Sequence, residues 1–157
     1  MTYLTLKYIH LLSMVLLFGT GLGSAFYKWM ADRSANVTHI AIVNKHVVLA
    51  DWLFTTPTVI IQPITGIWML RIINIPLDTH WVVYSLVLYA VAGLCWLPVV
   101  WLQIKMAKLS QQAMQHRCAL DKTYWRYAKA WFYLGIPAFS AMVLIVLLMV
   151  MKFSFGV

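Results

Sequence analysis

The sequence predicts an all-α fold, a bundle of four transmembrane helices forming one domain over residues 1–157, and three observations carry it. Apolar residues make up 63% of the 157-residue chain and charged residues 10%, against about 45–50% and 25% in soluble domains. Four stretches, 3–27, 47–73, 81–104 and 130–151, are long and apolar enough for the roughly 20 residues a membrane crossing needs. The cations of the +8 net charge gather beside these stretches rather than forming a nucleic-acid patch. A soluble protein of this size could not hide so much apolar surface. Soluble enzyme, soluble nucleic-acid binder and disordered chain are thereby excluded, and a lipid bilayer, not nucleic acid, is the expected partner. The spans are too long and unbroken for barrel strands, so helices must satisfy the backbone in lipid.

The four spans leave a polar stretch at 28–45, a tight link at 74–80 containing Pro76, and a longer basic stretch at 105–129. The first and third connections share one side of the membrane and carry nine cations, while the other side carries Lys7, Arg71 and Lys152. The positive-inside rule then puts both termini on the non-cytoplasmic side of a bacterial inner membrane. Lys7, an apolar run and Gly23-Ser24-Ala25 also resemble a cleavable signal peptide. Cleavage there would reverse the charge bias, so this reading is set aside. Tyr3, Trp52, Trp81, Trp101 and Trp131 lie near span ends and read as a membrane-interface belt.

On the first helix, His10, Ser13, Thr20, Gly21, Ser24 and Lys28 share one broad face, with Gly19 and Gly23 opposite as a small-residue packing pair. His10 lies well inside its span, where an ionisable residue is a functional candidate; its plainer reading is a neutral hydrogen-bond partner of a neighbouring helix. On the second helix, Asp51, Thr55, Thr58, Gln62 and Thr65 fall near one line, while Pro57 and Pro63 lie off it and predict a kink. Polar residues scattered by chance would meet lipid at a cost, so this line must face protein, water or a ligand. Asp51, near the basic end of its span, reads either as reaching water or as paired with Lys45 or Lys105. On the third helix, Ser85, Tyr89, Ala92, Trp96 and Gln103 share a face that suits a flat-ligand pocket or an ordinary bundle core. Ser140 is the polar residue deep in the fourth span, and Met142, Met149 and Met151 read as packing. His80 in the outer link is near enough to the His10 end to be a second ligand, though roughly 10 Å apart in depth. His46, at the entry of the second span, is a weaker candidate, and His39 and His116 read as solvated. Cys95 and Cys118 make neither a disulfide framework nor a metal spacing. The hydrolytic signatures G-x-S-x-G, Walker loop, H-E-x-x-H and paired carboxylates are missing from the sequence.

Leu6-Lys7-Tyr8-Ile9-His10, the glycine-rich run 17–26, Gln62-Pro63-Ile64-Thr65-Gly66 and Trp96-Leu97-Pro98 with Gln103-Ile104-Lys105 resemble a family of small bacterial integral membrane proteins of unknown function, over essentially the whole chain. That resemblance implies four helices and no established activity. More remotely the chain is similar to HemJ-type protoporphyrinogen oxidases and to CopD-type membrane domains. Lys7-x-x-His10, Thr56-Pro57 and Thr65-Gly66 carry the HemJ likeness. It implies haem b on His10. Trp96 and Tyr84 stand about where that family has a third-helix His and Lys, so the likeness does not extend to those residues. The expected function is a small haem b-binding membrane protein with a redox or porphyrin-handling role. His10 would be the axial ligand, His80 a second metal ligand, Thr58, Gln62 and Thr65 would face the cofactor, and Tyr89 and Trp96 would give it flat walls. Two other readings stand beside it: a non-enzymatic membrane subunit, packed against partners or copies of itself through its glycine faces, and a small transporter working as an oligomer along the Asp51–Gln62 face.

Overall fold

A computed structural model describes residues 2–151 as helices joined by three short turns. Helix α1 covers Thr2–Arg33 and α2 covers Val37–Ala50; a π-helical turn at Asp51–Thr55 leads without a break into α3, Thr56–Ile72; α4 covers His80–Gln115 and α5 covers Lys122–Met151. Four helical units, α1, α2–α3, α4 and α5, are long and apolar enough to cross a membrane. No strand occurs among the described residues. Lys152, counted above in the charge comparison, lies outside them.

The stretches 28–45 and 105–129 are not loops. Helix α1 runs through Lys28 to Arg33, α2 begins only four residues later, and α4 and α5 leave just residues 116–121 between them. Hydropathy marks the hydrocarbon, not the helix: at 1.5 Å per residue, the 36 residues of α4 span about 54 Å, against about 30 Å of hydrocarbon. The ends are set by local chemistry. Asn36 caps α2 by accepting from the His39 N–H (3.1 Å). Asn74 and Arg117 take positive φ after α3 and α4. There Ile75 N–H donates to Leu70 O and Cys118 N–H to Ala113 O, closing both helices with the same wrapped-back bonding.

The two prolines of the second span are absorbed differently. Pro57 cannot donate to the preceding turn, and its ring would crowd the carbonyl of Leu53; the turn just before it widens to π. Pro63 leaves the Val59 carbonyl without its helical partner, and the Tyr89 hydroxyl from α4 donates to that oxygen instead.

Toward the basic end α2 packs on both α1 and α4, and Ile40, Met106 and Tyr124 make a closely packed core there. Toward the terminal end the main pairings are α1 with α3 and α4 with α5. Two cavities lie between these pairs.

Candidate functional site

The outer cavity, about 430 Å³, lies toward the terminal end and is lined by His10, Gln62, Gly66, Trp81, Ser85 and Tyr89, among others. His10 is buried, and its ring is fixed from α3. Thr65 Oγ1 donates to Ile61 O (2.7 Å) and so has a lone pair to offer; His10 Nδ1 lies 2.8 Å from it. With the Thr65 hydroxyl donating to Ile61 O, this contact calls for the tautomer protonated on Nδ1, in which Nε2 carries the lone pair. Gly66 makes room for this: a Cβ there would sit 3.4 Å from His10 Cε1. Gln62 Nε2 donates to His10 O (2.9 Å) and to Ser13 Oγ (2.8 Å), tying α3 to α1 at the same level.

Asp51, Thr55, Thr58, Gln62 and Thr65 are all buried, as their common line predicts. Their roles differ. Thr58 donates to Phe54 O and Thr55 O and lines neither cavity. Thr65 acts on His10 rather than on the cavity space, and Gln62 lines the cavity with its amide nitrogen already committed to α1. His80 is exposed at the first residue of α4 and does not line the cavity; its neighbour Trp81 does. His39, His46 and His116 are exposed. Among the described residues no group of three or more His, Cys, Asp or Glu is placed to hold a metal ion.

The inner cavity, about 420 Å³, lies nearer the π-turn and is lined by Asp51, Thr55, Trp96, Gln103 and Trp131, among others. Tyr89, Phe18 and Met142 line both spaces and so stand between them. The face shared by Ser85, Tyr89, Ala92, Trp96 and Gln103 thus opens onto cavities rather than closing a core. Asp51 and Gln62, read from the sequence as one path, open to different spaces. Asp51 makes no ion pair among the described residues, and Lys45 and Lys105 are exposed. Trp131 is buried against Lys28, whose ammonium lies near its ring. Gly19 and Gly23 face no neighbouring helix of this chain, since a Cβ at either meets nothing within 4 Å.

Between the cavities and the short turns at 34–36 and 116–121 lies a cluster that the sequence did not announce. Lys28, almost fully buried, donates to Asp32 Oδ2 (2.7 Å) and to the Tyr124 hydroxyl (3.2 Å). Tyr124 donates to Asp32 Oδ1 (2.5 Å) and accepts from Asn44 Nδ2 (3.0 Å), which also donates to Ser110 Oγ (3.1 Å). The ammonium also lies 5.3 Å from the Tyr124 ring centre and 5.4 Å from that of Trp131. The local signal was the Lys28/Asp32 spacing of four on one helix; the other partners are 80 and 96 residues away from theirs.

No curated protein and no solved structure matches the chain. Its four apolar helical units, the buried polar line of the second span and the absence of strands among the described residues are those of a polytopic membrane bundle. A family model described as a predicted integral membrane protein, DUF2269, matches residues 4–153, and the chain belongs to that family.

Proposed function

We propose that this chain binds haem b in the outer cavity and serves a redox or porphyrin-handling role in the membrane. The observation that carries this reading is the 2.8 Å contact of His10 Nδ1 with Thr65 Oγ1: with the Thr65 hydroxyl donating to Ile61 O, Nδ1 would carry the proton and Nε2 would be the nitrogen left to bind iron. Axial imidazoles need this kind of support on the second nitrogen. The donor set fits one-sided ligation, since His80 stands off the cavity. The space is within the range of small-molecule sites, about 300–1,000 Å³, and its walls are mainly apolar and aromatic. Lys7, exposed and on the cavity lining, is the cation placed to meet a propionate. When bound, haem would supply one-electron chemistry; Thr65 would orient the His10 imidazole, and the apolar and aromatic walls would flank the macrocycle. The remote HemJ likeness at Lys7-x-x-His10 supports the same reading.

The test is an absorption spectrum, reduced minus oxidised, of protein purified after expression with ample haem. A b-type spectrum is expected from the wild type, its loss in His10→Ala, weaker retention of haem in Thr65→Val, and no change in His116→Ala. A wild type with no Soret band overturns the proposal. His10, Thr65, Gln62 and Ser13 would then be read as helix-joining groups of a non-enzymatic subunit.

We also infer that both termini face the non-cytoplasmic side of a bacterial inner membrane, on the nine-to-three cation split. Alkaline-phosphatase fusions at the C-terminus should be active and fusions after residue 115 inactive; the reverse pattern overturns the orientation.

A further inference from the structure

Four residues that line the inner cavity each carry a buried polar atom without a hydrogen bond of ordinary geometry. Asp51 Oδ2, Thr55 Oγ1, Gln103 Oε1 and Trp131 Nε1 make no hydrogen bond of ordinary geometry among the described residues, although the Thr55 hydroxyl and the Gln103 amide lie near enough to the Asp51 carboxyl group to interact with it. Their residues are only 6, 5, 5 and 9% exposed. All four residues line the one space. They come from three elements, the π-turn, α4 and α5, so no single local irregularity accounts for them. Buried polar groups are nearly always paired, and leaving one unpaired costs about 1–3 kcal/mol. Four gathered on one cavity mark a place where something else supplies the partners. The π-turn contributes two of them, and such turns recur at functional sites.

The chemistry of the missing partner can be read from the atoms. Three are oxygens that can accept, one of them on a carboxyl group, and the fourth is an indole N–H that can only donate. No lysine among the described residues pairs with this carboxyl group: Lys28 is committed to Asp32, and Lys45 and Lys105 are exposed. A primary ammonium brings one positive charge and three donors, which matches three acceptors, one of them a carboxylate. An alkali cation would match the oxygens but not the space: about 420 Å³ is small-molecule size. Most of the wall is apolar, and Trp96, Phe132 and Phe139 stand along it. Aromatic faces suit an organic cation and its apolar body. The Trp131 N–H calls for an oxygen acceptor close to the ammonium.

We propose that the inner cavity is a binding site for a hydrophobic primary amine, with its ammonium held by Asp51, Thr55 and Gln103, an oxygen near Trp131 Nε1, and its apolar body along Trp96 and Phe139. The site is separate from the outer cavity and stands whether or not haem binds there.

The test is equilibrium binding of radiolabelled 2-amino-1-phenylethanol to the detergent-purified full chain at pH 7. Competition by 1-phenyl-1,2-ethanediol, which replaces the ammonium with a hydroxyl, and by sodium chloride completes it. Saturable binding of one amine per chain is expected, with the diol weaker by about tenfold or more, as loss of charge-assisted bonds predicts. Asp51→Asn should weaken the amine by a similar factor. Gly135→Leu should abolish binding by filling the cavity; Gly135 lines it, and a Cβ there meets nothing within 4 Å. This second variant removes no polar atom and keeps the test decisive if Asp51→Asn fails to fold. Non-saturable uptake, equal competition by the diol, or wild-type affinity in Gly135→Leu overturns the proposal. Displacement of the amine by sodium at equal concentration overturns it in favour of an inorganic cation site.

Discussion

Two buried polar clusters lie in the same bundle, and they are built to opposite ends. Lys28, Asp32, Asn44, Ser110 and Tyr124 close on one another, donor to acceptor, across α1, α2, α4 and α5. Asp51, Thr55, Gln103 and Trp131, toward the middle of the bundle, are drawn from α4, α5 and the π-turn of the second span, yet they leave four polar atoms unpaired. Helix packing accounts for the contrast. The closed cluster sits where α2 brings α1 and α4 together, and the open one sits where the two helix pairs begin to part. A closed cluster holds helices together; an open one lines a cavity.

Breaking the closed cluster should produce the largest effect. Asp32→Ala removes the one carboxylate partner of a buried ammonium, and breaking a buried pair from one side costs about 3–5 kcal/mol. Asp32 is 18% exposed, which puts the expected loss at the lower end, about 3 kcal/mol. Unfolding in mixed micelles measures it, and a loss under about 1 kcal/mol, the scale of a surface pair, would dissolve the distinction between the clusters.

The open cluster should respond with the opposite sign. Gln103→Leu keeps the volume and removes an unpaired acceptor, so in ligand-free protein it should be neutral or stabilising by about 1 kcal/mol. The same unfolding assay reads it. A clear destabilisation would mean that Gln103 already has its partner.

The sequence made much of this legible and hid the rest for physical reasons. Apolar length gave the four spans, because a bilayer tolerates little else. The line from Asp51 to Thr65 faced inward because polar side chains on lipid are costly. The reach of α1, α2, α4 and α5 beyond the hydrocarbon was hidden, since helices continue in water without an apolar signature. The closed cluster was hidden because Lys28 and Tyr124 lie 96 residues apart. The position of His80 was not legible from its nearness to the His10 end of the bundle: it starts α4, and its side chain is exposed while Trp81 takes the cavity wall.

A carboxylate on the surface sets the bottom of the scale. Asp121, fully exposed, accepts from the Thr123 N–H (2.7 Å) at the start of α5, and that bond lowers its carboxyl group below the ordinary value of 3.8. A lowered folded-state value means its support is full above 3.8 and fades as pH falls through the folded value. Asp121→Ala should therefore reduce the melting temperature slightly at neutral pH, with the difference closing in acid. A difference that grows in acid would reverse the sign.

Tyr89 has a further consequence. Its ring is a wall of both cavities, and its hydroxyl is anchored on the carbonyl that Pro63 sets free. The ring cannot lean into one space without enlarging the other. Should both spaces take occupants, an occupant that displaces the ring would act on the other space, and such linkage is reciprocal: the factor one imposes on affinity in the other is returned in equal measure. Pro63→Ala, which restores a backbone N–H to compete for Val59 O, would loosen the anchor and weaken that exchange.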